Sequence, residues 1–185
     1  MAEITASQVK SLRDATNVSM MECKRALQEA EGDLDTATRL LRERGIVIAA
    51  KKASRAANDG LIASASSEDG TTASLVEVNC ETDFVARNPD FVAFVQSLAA
   101  RACESDENLA EQVKDEVTEK VTEVGENIVV ARNSRFVKES GGMVESYVHR
   151  GKVGVLLELS CEKEETLQDA DFQTLARDLA LHVAA

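Results

Sequence analysis

The first part of the chain carries apolar residues at helical spacing, interrupted by polar residues that can cap helices. Between residues 4 and 45 this pattern predicts three short helices. Thr5 and Ser19 each precede an apolar run and each has Gln or Glu three residues further on, which is the capping-box spacing. Asp33 can cap the third helix. Two glycines stand where left-handed C-terminal caps are expected, Gly32 and Gly45.

The predicted second helix has two faces of different character. An apolar stripe on one face should contact the core, and it consists of Met20, Cys23, Leu27 and Ala30. Met21 lies among polar residues on the other face, next to Lys24. Three helices of this length would form a minimal bundle, which we expect to be a small head domain over residues 1–48.

A short basic stretch follows the predicted head. Residues 49–58 contain two lysines and an arginine among alanines, and they tolerate a helix. We interpret them as a linker. The lysines could contact a partner, although a solvated connector accounts for the same composition.

From residue 59 the pattern changes to one typical of strands. Runs at 61–66 and 73–80 alternate around a Glu-Asp-Gly turn signal, which predicts a hairpin. Asn88 followed by Pro89 predicts the start of a helix, because proline is favoured at the first helical position. A second helix over 109–124 and a third strand over 128–137 complete a predicted first core subdomain, residues 59–140.

The same hairpin and helix pattern returns 81 residues later without a gap. The matching pairs are Gly60 and Gly141, Gly70 and Gly151, Cys80 and Cys161, Phe91 and Phe172, and Leu98 and Leu179. This register suggests duplication of a hairpin–helix unit. The second copy, residues 141–185, has no counterpart of the second helix or third strand, so we expect it to be incomplete. The predicted class is α+β, with an antiparallel-sheet core that carries helices on one face.

The corner between the first hairpin and its helix has no equivalent in the second copy. Residues 79–88 read Asn-Cys-Glu-Thr-Asp-Phe-Val-Ala-Arg-Asn, whereas the positions 81 residues after Asp83 and Phe84 are both glutamate. Phe84 could be a core residue, with Asp83 a favoured acid at a helix N-terminus. Alternatively, the helix restart at Pro89 isolates a short turn on which the ring projects. Sequence alone leaves the two alternatives open.

Composition narrows the function classes. The net charge is −12, which argues against direct nucleic-acid binding. Residues 1–58 hold ten Lys and Arg against eight Asp and Glu, and the remainder holds 11 against 25. This asymmetry suits a protein-binding module, although an ordinary acidic surface explains it equally well. Only 3% of residues are aromatic, so the core must be aliphatic.

Motifs for chemistry are missing from the sequence. The four cysteines are scattered and only two histidines occur, so neither a zinc site nor a disulfide framework is expected. Nucleophile elbows, Walker loops and dinucleotide fingerprints are absent, and no cofactor is implied. The first residues do not resemble a signal peptide and no apolar run reaches membrane length, so we expect a reducing cytoplasm and no membrane contact.

Several of these segments together resemble the signatures of the bacterial elongation factor Ts family. The resemblance is specific and covers nearly the whole chain in order. It is carried by residues 9–13, 20–27, 32–33, 78–88, 125–128, 146–149 and 153–156. The family promotes guanine-nucleotide exchange on elongation factor Tu and performs no covalent chemistry.

The resemblance implies a head like the ubiquitin-associated fold, which contacts the nucleotide-binding domain of elongation factor Tu. It also implies that the corner enters that domain and disturbs the bound Mg²⁺, and that the second subdomain faces another domain of elongation factor Tu. The implied corner residues are Thr82, Asp83, Phe84 and Val85, the head contacts are Met20, Met21 and Lys24, and the weaker contacts are Tyr147 and His149.

Two departures from the family pattern keep alternatives open. Members commonly continue past the position of Ala185, and Asn17, Val18 and Ser19 replace a more usual Gly-Ala-Gly. The chain could therefore be a binding module that holds elongation factor Tu, or another helix-presenting partner, without exchange activity. A shortened member could also form a homodimer that completes a sheet. A thiol or acid–base enzyme has little support.

Overall fold

Helices fill the N-terminal part of the protein and strands begin at Asp59. The structure is a computed structural model that describes residues 4–138 and 141–185. It is an α+β protein with antiparallel sheets. Along the described residues the elements are α1 (Ala6–Thr16), α2 (Met20–Glu29), α3 (Leu34–Lys52), β1 (Asp59–Ser66), β2 (Thr72–Cys80), α4 (Asp83–Ala86), α5 (Pro89–Glu104), α6 (Leu109–Gln112), α7 (Lys114–Val124), β3 (Val129–Val137), β4 (Gly142–His149), β5 (Val153–Ser160) and α8 (Ala170–Ala184), with a 3₁₀ helix over Glu164–Gln168 between β5 and α8.

The chain divides into two compact units that are both discontinuous in sequence. Unit 1 holds the residues up to Ala56 together with Lys114–Ile128. Unit 2 holds Ala57–Val113 together with Val129–Ala185. The chain thus leaves unit 1, returns to it for α7 and then enters unit 2 a second time.

The caps predicted for the first three helices are present. The Thr5 hydroxyl accepts the Gln8 amide at 3.3 Å, and the Gln8 side chain accepts the Thr5 amide in return, which completes a capping box. Ser19 accepts from the backbone of α2 and Asp33 from that of α3. The three helices enclose a single apolar cluster, which consists of Val9, Leu12, Cys23, Ala26, Leu27, Ala30, Ala37 and Leu41.

Gly45 does not end the third helix, so that prediction is wrong. The helix α3 continues through Gly45 to Lys52, and the first four residues of the predicted linker are its last turn. A Cβ atom at Gly45 would lie 2.9 Å from Thr122 Oγ1 on α7. The glycine therefore serves the close approach of two helices in unit 1 instead of a left-handed cap.

The single helix predicted over 109–124 is also wrong, because it is two helices. Val113 separates α6 from α7 with φ −104° and ψ 14°, outside the helical range. Its side chain is fully buried. The break coincides with the point at which the chain passes from unit 2 to unit 1, so tertiary packing overrides the apolar periodicity.

In unit 2 the strands β1, β2 and β3 form an antiparallel sheet with β2 in the centre. Alternate residues of β2 are fully buried, among them Val76 and Val78, and the same face carries the Ser74 hydroxyl, which donates to the Ala99 carbonyl of α5 at 2.6 Å. The helix α5 therefore covers one face of the sheet, and the end of β2 leads directly into the corner that precedes α5.

The second hairpin, β4–β5, forms a two-stranded sheet that packs with α8. The helix α8 begins at Ala170, 81 residues after α5 begins at Pro89. The strand pairing does not follow that offset, however. Ala63 is paired with Val76, whereas Val144 is paired with Glu158, one position away from the equivalent. Three residues connect β4 to β5 and five connect β1 to β2. The two hairpins therefore differ in both connection and register, and duplication stays an interpretation.

Candidate functional site

The corner between β2 and α5 is built around a single four-residue helix, α4. Thr82 precedes it in an extended conformation, with φ −128° and ψ 154°. Its hydroxyl accepts the Val85 amide at 3.4 Å and its carbonyl accepts the Ala86 amide at 3.2 Å. Thr82 is therefore the N-cap that starts the turn.

The last residue of β2 also makes a hydrogen bond to this turn. Cys80 is fully buried at the last position of the strand. Its thiol donates to the Thr82 carbonyl, with sulfur and oxygen 3.2 Å apart. The Thr82 carbonyl oxygen thus accepts hydrogen bonds from both the Cys80 thiol and the Ala86 amide. It lies between the end of β2 and the start of α4.

Phe84 projects from the corner with 83% of its surface exposed. The interpretation of Phe84 as a core residue is therefore wrong. The Asn88 side chain accepts the Asp90 amide at 2.8 Å and Pro89 occupies the first helical position, so α5 starts separately. In the short turn that remains, Ala86 is the buried residue. Because the small Ala86 takes the inward position of the turn, the larger Phe84 ring lies on the outside.

Asp83 lies beside the ring and is half-buried. Its carboxylate pairs with the Arg87 guanidinium at 3.1 Å, one helical turn further on. Arg87 is 81% exposed at the side chain, so solvent screens the pair and its contribution to stability is small. The carboxylate is therefore available to other donors at low cost.

The equivalent corner of the second hairpin is anchored in the same way but ends differently. The Cys161 thiol donates to the Lys163 carbonyl at 3.1 Å. Lys163 provides no side-chain cap, and the residues that follow form a 3₁₀ helix. Leu167 points inward with 8% of its surface exposed, and Glu165 is exposed. This corner presents no aromatic side chain.

The head residues of α2 are exposed together. Met20 is 45% and Met21 60% exposed, and Lys24 is exposed as well. The prediction that Met20 lies on the core face is wrong, because Cys23, Ala26 and Leu27 already fill that face.

Sequence reasoning missed two exposed apolar residues of α3, Ile46 and Val47, which are 61% and 53% exposed. The run Ile-Val-Ile that begins at residue 46 was the available signal. The run carried no predicted role because the helix was expected to end at Gly45.

Tyr147 and His149 lie two positions apart on β4, and therefore on one face of the strand. The Tyr147 hydroxyl and His149 Nδ1 are 2.9 Å apart. These two residues and the corner belong to unit 2, whereas Met20, Met21 and Lys24 belong to unit 1. Within the described residues, no three His, Cys, Asp or Glu side chains are grouped as a metal site would require.

Comparison with known proteins gives these residues a context. The family model described as elongation factor TS matches residues 81–185, which is more than half of the chain and begins directly before the Thr82 corner. The chain belongs to the elongation factor Ts family.

Individual members of the elongation factor Ts family match over nearly the whole chain. The elongation factor Ts of Clostridium kluyveri is 43% identical over 98% of this chain. The proteins of that name from Nitratiruptor sp. and Clostridioides difficile are 45% identical over 98% and 44% identical over 100% of it. The chain spans only 62–63% of the length of these relatives.

The family match includes the corner and the Tyr147–His149 pair, and the relatives extend the similarity to the head. In the part of the chain that the structure describes, no helix combines the length and apolar character that crossing a bilayer requires.

Proposed function

We propose that this chain binds elongation factor Tu in its GDP-bound state and promotes release of the nucleotide without covalent chemistry. The observation that supports the proposal most strongly is the exposed ring of Phe84 on a capped turn, in a segment that the family model matches. Translation elongation is the process in which such a factor acts, so the proposal includes a cytoplasmic location.

The proposed mechanism is a wedge. A GTPase holds its nucleotide through phosphate and Mg²⁺ contacts, and a factor that prefers a distorted site weakens nucleotide binding by the same factor by which nucleotide weakens its own binding. Burying an exposed phenyl ring supplies about 1.5–3 kcal/mol toward that preference. Thr82 and Val85 hold the turn, Phe84 enters the partner, and Asp83 accepts hydrogen bonds that orient the ring.

We assign the remaining contacts to two further surfaces. Met20, Met21 and Lys24 combine exposed apolar area with a positive charge, which suits the surface of a partner helix. The Tyr147–His149 pair is the weaker assignment and would contact a second domain of elongation factor Tu.

The test is the release of fluorescent mant-GDP from purified elongation factor Tu. Phe84→Ala and Asp83→Ala should each slow the stimulated release, and the Phe84 variant should fold normally because the ring is exposed. Glu165→Ala is the matched control, since Glu165 occupies the equivalent position in the second corner. If both corner variants stimulate release as well as the unaltered chain does, the wedge mechanism is wrong.

A second candidate function is binding without exchange. The exposed methionines of α2 support it, because they provide a binding surface that does not require the corner. It is distinguished by an equilibrium measurement. Association with elongation factor Tu that survives loss of Phe84, is lost with Met21→Ser, and never accelerates GDP release would favour this alternative.

We also propose the domain organisation and assembly suggested by the sequence. Residues 1–48 are proposed as a head of ubiquitin-associated type, and 49–58 as a linker whose first four residues continue α3. Residues 59–140 are proposed as a first subdomain, of which Lys114–Ile128 belongs to unit 1, and 141–185 as a second one derived by duplication. Homodimerisation is proposed because β4–β5 is only a two-stranded sheet, and α8 exposes Leu175, Leu181 and Val183. Sedimentation equilibrium tests it, and a monomer at every concentration would contradict it.

A further inference from the structure

Two buried or half-buried thiols make the same contact at the two corners of unit 2. Cys80 donates to the carbonyl two residues ahead at 3.2 Å, and Cys161 does so at 3.1 Å. Cys80 is the last residue of β2 and Cys161 directly follows β5, and each acceptor precedes a short helical turn. The contact is therefore tied to the change from strand to helix at both places, although the residues that follow differ.

At the first corner the thiol contacts the peptide group from which the turn starts. The helix α4 has four residues, and its cap bond from Thr82 to the Val85 amide is long at 3.4 Å. The Ala86 amide donates to the Thr82 carbonyl at the start of the turn. The Cys80 thiol meets that same carbonyl from the buried side, so it fixes the peptide group on which the turn is built.

We infer that Cys80 is a positioning residue for Phe84, acting through the Thr82 carbonyl by donating its thiol hydrogen. With the thiol in place the turn has one orientation and the ring projects from it. Without the donor, the Thr82 peptide can rotate, and Phe84 must be ordered at the moment of partner binding, which costs affinity and rate. The inference deepens the proposed function and, for its effect on nucleotide release, rests on it.

Packing alone makes the opposite prediction for two substitutions. If Cys80 only fills space at the end of a strand, Cys80→Val should be tolerated better than Cys80→Ser, because valine is apolar and favours strands. If the donor matters, Cys80→Ser should be the better variant, because its hydroxyl can still donate to the Thr82 carbonyl. The ranking of the two variants therefore separates the alternatives.

The first measurement needs only this chain. Hydrogen exchange of the Ala86 and Arg87 amides, followed by NMR, reports how often the turn opens. We expect exchange about threefold faster in Cys80→Val than in Cys80→Ser, the low end for loss of one hydrogen bond because a thiol is a weak donor. Cys161→Val and Cys161→Ser are the matched controls and should leave these two amides unchanged. Cys80→Ala replaces the valine variant if valine prevents folding.

The second measurement is mant-GDP release from elongation factor Tu. Stimulated release should fall about threefold in Cys80→Val and stay within twofold of the unaltered chain in Cys80→Ser, as expected for loss of one weak hydrogen bond. Equal or greater protection of the turn in Cys80→Val overturns the inference, whatever happens to release. If the amides rank as expected but Phe84→Ala leaves stimulated release unchanged, Cys80 still positions the turn and the wedge mechanism is wrong.

Discussion

The two corners of unit 2 share an anchor and differ in what they display. Both begin with a thiol that donates to a carbonyl two residues ahead. The first continues with a threonine cap, an α-helical turn and an outward Phe84, whereas the second continues without a side-chain cap, as a 3₁₀ turn with an inward Leu167. In the first corner the buried residue is small and the exposed one is a large apolar ring, whereas in the second the buried residue is large and the exposed Glu165 is charged. The comparison separates the residues that build a corner from those that could recognise a partner.

The largest expected effect comes from exchanging the corners. Replacing residues 82–85 with the residues found at 163–166 (Thr82→Lys, Asp83→Glu, Phe84→Glu, Val85→Thr) should reduce stimulated GDP release at least about tenfold. A ring burial of about 1.5–3 kcal/mol corresponds to one to two factors of ten.

Circular dichroism should show the same fold for this variant, because the Phe84 ring is exposed. The reverse exchange at 163–166 serves as control and should not alter release. Undiminished release from the first variant would remove the distinction between the two corners.

A smaller effect is expected from the inward residues. Leu167→Ala should lower the free energy of unfolding by about 2–3 kcal/mol, because it empties buried space under the second corner. Ala86→Gly should cost only about 1 kcal/mol, since it removes a single methyl group and loosens a short helix. Urea unfolding measures both, and a cost at Ala86 equal to that at Leu167 would contradict the size difference between the two interiors.

Substitutions at the residues that precede the two turns, Thr82 and Lys163, should differ less in their effect on stability. Thr82→Ala removes the hydroxyl that accepts the Val85 amide and should destabilise the protein by about 0.5–1 kcal/mol, the low end for an N-cap because the bond is long. Lys163→Ala should change stability by less than about 0.5 kcal/mol, because Lys163 caps nothing. Thr82→Ser should restore the loss. If it does not, the methyl group of Thr82 accounts for the effect and capping does not.

The smallest expected effect on stability concerns the loop of the first hairpin, and it depends on pH. In the five-residue loop, hydrogen bonds from the Ser67 hydroxyl and from the Thr71 amide and hydroxyl lower the pKa of Asp69 from 3.8 to about 2. A carboxyl whose pKa is lower in the folded state stabilises above its unfolded pKa. That contribution is therefore present above pH 4 and is lost as the pH falls toward 2.

Asp69→Asn should lower the urea midpoint at pH 6, and the difference from the unaltered chain should shrink at pH 2.5. Ser67→Ala removes one of the donors to the Asp69 carboxylate. In that background, Asp69→Asn should lower the urea midpoint at pH 6 by less than it does in the unaltered chain. A difference that stays constant between pH 6 and pH 2.5 would assign the effect of Asp69 to something other than its charge.

Local chemistry made part of this structure predictable from sequence. The caps at Thr5 and at Asn88–Pro89 were predictable because a cap is decided by residues within one turn of each other. Gly45 was misread because its role depends on α7, which is remote in sequence. Val113 was misread because its side chain is fully buried where a segment of unit 2 ends, which local periodicity does not reveal. The position of Phe84 was left open for a related reason. Whether a ring projects depends on which neighbour faces inward, and Ala86 faces inward because α4 packs on β1, β2 and α5, which lie outside the turn itself.

The exposure of Met20 was not predictable from its spacing. That spacing fits the stripe of Cys23 and Leu27, although the Met20 side chain is exposed. Helical periodicity gives the direction of a side chain but not how far the packed face extends, and Met20 is at the first position of α2, before the buried residues of that helix begin.

The close approach of α7 to Gly45 has a consequence for the behaviour of the protein after cleavage by a protease. Unit 1 consists of the residues up to Ala56 and of Lys114–Ile128. The covalent connection between these two segments is the stretch 57–113. A protease nick between residues 57 and 113 would therefore leave each fragment holding part of both units. We expect the nicked protein to elute as one species in native buffer and as two in denaturant, because noncovalent contacts in each unit cross the cut.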